Sequence, residues 1–168
     1  MPDRKAIERA EKDKREGKSP STQAGEFVRE EIHHIREGRH GARSTKQAIA
    51  IGLSEARRAG VKLPPPKAGS GSEATRRKAE RDLKNGAPGG TSVSRRRAKA
   101  TLGALEREGD AAATPAALAK QGRAAARQRS PAERSAAARQ GAQTKGAAGR
   151  SAVARKAAQT RAARRSGG

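Results

Sequence analysis

The scarcity of large apolar side chains constrains this chain more than any other feature. Phe27 is the only aromatic residue, and the large aliphatic side chains concentrate between Phe27 and Leu63. Segments without such residues cannot bury enough apolar surface to offset the entropy of ordering their backbone. The hydrophobic fraction of 32% does little to change this, because most of it is alanine. The pattern predicts one small folded unit within the 168 residues, not a single domain spanning them.

Periodicity places that unit. Ala24, Val28, Ile32 and Ile35 recur at i, i+4, i+8 and i+11, with Phe27 beside them, which predicts a helix from about Ser21 to Glu37. Gly38 stops it, and GRHGAR (Gly38–Arg43) reads as a loop. Ser44 and Gln47 form an S-x-x-Q capping box that starts a second helix. Ile49, Gly52, Leu53 and Ala56 give that helix its apolar face, and Gly52 allows close approach of the two backbones. Gly60 and Pro64–Pro66 end it. The expected fold class is mainly α: a short helical hairpin at about 21–60, additional marginal helices, and a largely disordered Ala/Arg-rich C-terminal tail. Phe27, Val28, Ile32, Ile35, Ile49 and Leu53 are the expected hairpin core. A unit of about 40 residues is usually unstable alone. Self-association through the hairpin therefore stands beside a weakly stable monomer.

The flanks divide by composition. Residues 1–20 read as a charged helix with only Ile7 to bury, residues 21–63 as the hairpin module, and residues 64–72 (PPPKAGSGS) as a linker. Residues 73–109 form a basic helical segment broken at Asn85–Gly90, with Ala98, Leu102 and Leu105 on one face of its second helix. Residues 110–168 are a low-complexity basic tail. The tail repeats itself: Arg134–Thr144 (RSAAARQGAQT) and Arg150–Thr160 (RSAVARKAAQT) match at eight of eleven positions, sixteen residues apart.

Charge follows the same division. The chain carries 39 Lys plus Arg against 17 Asp plus Glu, a net +22. Residues 21–66 hold only +3 of this, whereas residues 110–168 hold thirteen basic and two acidic groups, +11. A long basic tail beside a better mixed region is the layout of a polyanion-binding arm. The expected phosphate contacts are Arg95, Arg96, Arg97, Arg123, Arg127, Arg129, Arg134, Arg139, Arg150, Arg155, Lys156, Arg161, Arg164 and Arg165. The expected partner is nucleic acid, with duplex DNA favoured over RNA, bound without base readout, because no Cys/His finger, zipper or aromatic platform is visible. Two alternatives stay open: an RNA- or ribosome-associated basic protein, and a protein–protein adaptor whose tail only solubilises. A helix-turn-helix reading would use Lys46, Gln47, Glu55, Arg57 and Arg58 on the exposed face of the second helix.

Other classes find little support. With no cysteine, thiolate zinc sites and cysteine nucleophiles are excluded. His33 and His34 point about 100° apart on a helix, so His33, His34 and His40 are expected to be surface residues, with no metal and no cofactor. No catalytic set emerges, so no enzyme is expected. No apolar run reaches the roughly 18–20 residues of a membrane span. The N-terminus has no signal-peptide core. A cytoplasmic, nucleoid-associated location and no membrane partner are the expectation.

The motif KQAIAIGLSEARRAG (Lys46–Gly60), within Glu26–Gly60, resembles small, basic, uncharacterised bacterial proteins, some labelled plasmid stabilisation proteins. The resemblance covers about residues 1–66 and implies a bacterial source and a DNA-maintenance role. The tail is similar in composition to bacterial histone-H1-like proteins. Neither likeness supplies catalytic residues.

Overall fold

The structure is a computed structural model, and it describes residues 3–69, 71–87 and 94–166. Ser70 of the expected linker and Pro88, Gly89 and Gly90 of the expected break lie outside the described residues, as do the side chains of Arg95 and Arg164. Among the described residues the chain is mainly α. Its helices are α1 (Arg4–Arg15), α2 (Pro20–Arg36), α3 (Thr45–Arg58), α4 (Glu73–Asn85), α5 (Arg95–Leu105), α6 (Pro115–Arg127) and α7 (Pro131–Ser166), with one 3-10 turn at Ala111–Ala113. The chain divides into two compact units, residues 1–122 and 123–168.

Caps explain where the helices begin. The Ser19 hydroxyl accepts from the Thr22 amide with Pro20 in the first turn, and Ser72 accepts from Thr75 in the same way. Ser44 accepts from the Gln47 amide at 3.2 Å. The return bond of this box comes from the Arg43 amide, which donates to Gln47 Oε1 at 2.9 Å. Gly17, Gly38 and Gly60 follow α1, α2 and α3 at φ of 69°, 70° and 91°, the left-handed conformation that closes a helix.

The first unit is built around the α2/α3 hairpin. Phe27 and Ile35 are its largest fully buried side chains, each contributing about 1.5–3 kcal/mol. The expected core needs correction on one side. Phe27, Ile32 and Ile35 are buried, but Val28, Ile49 and Leu53 are only half-buried. The inner face of α3 is Thr45, Ala48, Gly52 and Ala56. Small residues line this contact because the backbones nearly touch: a Cβ on Gly52 would lie 2.6 Å from Val28 Cα. Leu53, one position further round the helix, is half-buried and still packs against the Phe27 cluster, whereas Ile49 is half-buried outside it.

The hairpin does not stand alone. α1, expected to have little to bury, packs on α2 through Ala6 (0% exposed) and Ala10 (4% exposed). Arg9 holds the pair together, donating to Glu26 at 2.6 Å and to Glu30. α4 packs on the other side, on α3, through Ala79 and a 2.7 Å bond from Ser54 Oγ to Asp82 Oδ2. Residues 105–118 close the open end of the hairpin. The Gly41 amide donates to the Leu105 carbonyl at 2.9 Å, and Ala42 to Gly109 at 3.1 Å. Thr45 Oγ1 donates to Ala112 O at 2.7 Å and Arg36 Nε to Ala113 O at 2.9 Å. Ala112 and Ala113 then join Ile32, Ile35, Ala42 and Ala48 in one apolar cluster, edged by Leu118. The structured region therefore runs past residue 109, where the tail was expected to start. Coverage by the chain's own helices also removes the size argument for a second copy. Among the described side chains of α5 only Leu105 is buried, and Leu102 is 45% exposed.

The second unit corrects the expectation of disorder. Residues 123–168 carry the end of α6 and all of α7. Alanine, arginine and glutamine all favour helix, and α7 opens with Pro131 behind a reciprocal cap. The Ser130 amide donates to Glu133 Oε2 at 2.9 Å, and the Glu133 amide to Ser130 Oγ at 3.2 Å. α7 is broken at Gly146, at φ 63°. The break falls between the two repeat copies, so each copy occupies its own helical stretch.

Candidate nucleic-acid interface

The repeat is structural as well as textual. Arg134 and Arg150, equivalent by the sixteen-residue offset, each reach back to a backbone carbonyl, Arg134 in the turn after α6 and Arg150 in the stretch before the break. Arg134 donates to Arg129 O at 2.6 Å, and Arg150 donates across the break to Ala142 O at 2.8 Å. Thr144 donates to Gln140 O at 2.9 Å, and its equivalent Thr160 donates to Lys156 O at 3.0 Å. Each copy is thus a helical stretch whose leading arginine ties it back to the chain before it, and Arg150 does so at a helix C-terminal end, a favourable place for a cation.

The described basic side chains of the arm are exposed, Arg134 and Arg150 included. Arg123, Arg127, Arg129, Arg134, Arg139, Arg150, Arg155, Lys156, Arg161 and Arg165 are all exposed. So are Arg96 and Arg97 in the first turn of α5, where Ser94 makes no side-chain cap bond. Residues 123–168 contain twelve Lys and Arg but a single acid, Glu133. At about 100° per residue these cations wrap around α7 rather than forming one stripe. Alanine fills the spaces between them, and the only large aliphatic residue, Val153, is 51% exposed. The described residues of this arm show exposed charge and no continuous face of large apolar side chains.

The first unit handles charge differently, by pairing it. Lys18 bonds Asp13 and Glu16 at 2.7 Å each, and Arg39 meets Glu37 at 3.0 Å. One basic stripe escaped the sequence reading. Arg77, Arg81 and Lys84 fall at i, i+4 and i+7 on the exposed face of α4, and this spacing was the signal that could have revealed it.

The helix-turn-helix reading is not supported by these positions. α3 lies between α2 and α4, and most of its polar residues are engaged. Arg57 is buried and donates to the carbonyls of Leu63 at 3.1 Å and Pro64 at 3.2 Å. Burial lowers its pKa, while Asp82 nearby acts in the opposite direction. Arg58 donates to Ser54 O at 3.3 Å. Glu55 is half-buried, and burial raises its pKa. Gln47 is used by the cap, which leaves Lys46 as the one fully exposed member of the expected set. Phe27 is 1% exposed and cannot stack on a base.

Residues 14–67 match a family of unknown function, DUF6496. The matched stretch runs from the end of α1 through the hairpin to the carbonyl clamp of Arg57, and the basic arm lies outside it. No curated protein and no solved structure matches the chain. No helix among the described residues is long and apolar enough to cross a membrane.

Proposed function

We propose that this chain is a non-enzymatic nucleic-acid-binding protein whose C-terminal arm condenses on the phosphates of duplex DNA without reading sequence. The carrying observation is the arm itself: twelve cations against one acid over residues 123–168, displayed on helices whose described residues form no continuous face of large apolar side chains. Phosphates would relieve the repulsion among those cations and release condensed counterions. Arg77, Arg81 and Lys84 on α4 offer a second, smaller set of contacts. The hairpin unit, the part that matches the family, serves in this reading as a folded head. A cytoplasmic, nucleoid-associated or plasmid-maintenance role follows from the same chemistry.

The test is a salt series of binding titrations on duplex DNA, comparing the full chain with residues 1–122. If all twelve arm cations bind, the slope of log K against log salt reaches roughly −11. Truncation should remove most of the affinity and most of the slope. An affinity insensitive to salt, or unchanged in the truncated chain, would sink the proposal. Structured RNA that outcompetes the duplex at matched salt would move the assignment to RNA.

A further inference from the structure

The described histidines were expected to be unrelated surface groups, and for His33 that description holds: its side chain is 62% exposed and meets only Glu37, at 3.1 Å. His34 and His40 behave otherwise. Glu30 and Glu31 lie one helical turn before His34 on α2, and the left-handed turn at Gly38 brings His40 back over the same turn. Asp3, which caps α1 with Oδ1, directs Oδ2 to the same place.

The spacing is informative. His40 Nε2 lies 3.6 Å from Glu31 Oε2, and His34 Nε2 lies 3.5 Å from Glu30 Oε1 and 3.8 Å from Asp3 Oδ2. These separations are too long for good hydrogen bonds. They are close to the roughly 3.4 Å between neighbouring donors on a tetrahedral zinc ion. One donor atom from each of Glu31, His34 and His40 falls within 4.8 Å of the other two, so closure by about an ångström would supply three of the four positions of a tetrahedral shell. The Glu31 side chain is only 3% exposed, and its Oε1 makes no hydrogen bond. His34 Nε2 is likewise buried without a hydrogen-bond partner. Buried polar atoms of this kind are met in folded proteins by an ion or an ordered water. His40 is already oriented: its Nδ1 lies 3.2 Å from the Gly41 carbonyl, so with that nitrogen protonated the Nε2 lone pair faces Glu31. Burial lowers the His34 pKa, the direction that favours a ligating imidazole. Burial, with the Glu55 carboxylate nearby, pushes Glu31 up to about 7. A bound cation would reverse that penalty.

We propose that Glu31, His34 and His40 bind a divalent transition-metal ion of the zinc type, with Glu30 as the nearest further donor. Imidazole ligands favour zinc, cobalt or nickel over calcium and magnesium. The ion would tie α2 to the Gly38–Arg43 loop, the loop on which residues 105–113 dock. It would thus act as a staple in a chain that has no cysteines.

The full chain, stripped with chelator and dialysed, should be titrated with Co²⁺ by visible absorbance and with Zn²⁺ by calorimetry. One ion per chain should bind, with ligand-field bands of four- or five-coordinate cobalt and a higher melting temperature with zinc. Glu31→Gln and His40→Ala should each weaken binding by roughly tenfold or more, and His33→Ala should not. Glu31→Gln preserves shape, and circular dichroism of each metal-free variant checks its fold. No uptake at micromolar metal, equal binding in Glu31→Gln and His40→Ala, or loss in His33→Ala would each overturn the site.

Discussion

Replacing Gly52 by alanine tests the helix contact on which the first unit is built. The added Cβ would lie 2.6 Å from Val28 Cα, 2.8 Å from Val28 N and 3.1 Å from Phe27 C. All three atoms are backbone, so no side chain can swing aside. Ordinary contact begins at 3.4 Å, so α2 and α3 must part by roughly 0.8 Å, loosening the packing of Phe27, Ala48 and Ala56. Overpacking of this kind costs about 1–3 kcal/mol, and a backbone-on-backbone clash belongs at the upper end. Alanine regains about 1 kcal/mol of helix propensity. The net loss is about 2 kcal/mol, or a melting temperature roughly 8 °C lower for a unit of this size. Gly25 on α2 is the control, because nothing lies within 4 Å of its Cβ position. Gly25→Ala should gain about 1 kcal/mol and melt roughly 4 °C higher. Thermal and urea unfolding followed at 222 nm reads both. A Gly52→Ala chain that melts at or above the parent would refute the close crossing of α2 and α3.

Three further substitutions probe other joints. Gly41→Ala would place a Cβ 1.9 Å from Glu108 O; residues 105–113 should detach, seen as faster amide exchange at Gly41 and Ala42, while α1 stays protected. Arg57→Lys keeps the charge but loses the planar fork on the Leu63 and Pro64 carbonyls; it should cost about 2 kcal/mol in urea unfolding, and no change would show the clamp to be idle. Ser130→Ala removes the cap of α7; about 1 kcal/mol of local helix stability should go, visible as weakened helical NMR shifts over residues 131–145 and not in α2.

Much of the architecture was legible along the chain. The hairpin, its caps at Ser44 and Ser130, the stops at Gly38 and Gly60 and the tail repeat all depend on residues within one or two helical turns of each other. Alanine misled the reading of the core. An alanine face carries no strong periodic signal, so Ala6, Ala10 and Ala48 passed as filler while Ile49 and Leu53 drew attention. The basic arm was legible because net charge needs no fold. The engagement of Arg57 was not, since nothing in the sequence marks an arginine that turns inward to the carbonyls of Leu63 and Pro64, six and seven positions on.

Sequence by itself determined where helices start and stop and how charge is graded toward the C-terminus, because caps, breakers and composition act locally. Tertiary structure alone decided which helices meet. It brought residues 105–113 onto a loop more than sixty positions earlier, and it let α1 bury alanines that periodicity had passed over. It also gathered Glu31, His34 and His40 into one cluster. That convergence depends on the chain reversing at Gly38, a three-dimensional event. Spacing in the sequence shows His33 beside His34, yet only the turn reveals that His40 is the true neighbour.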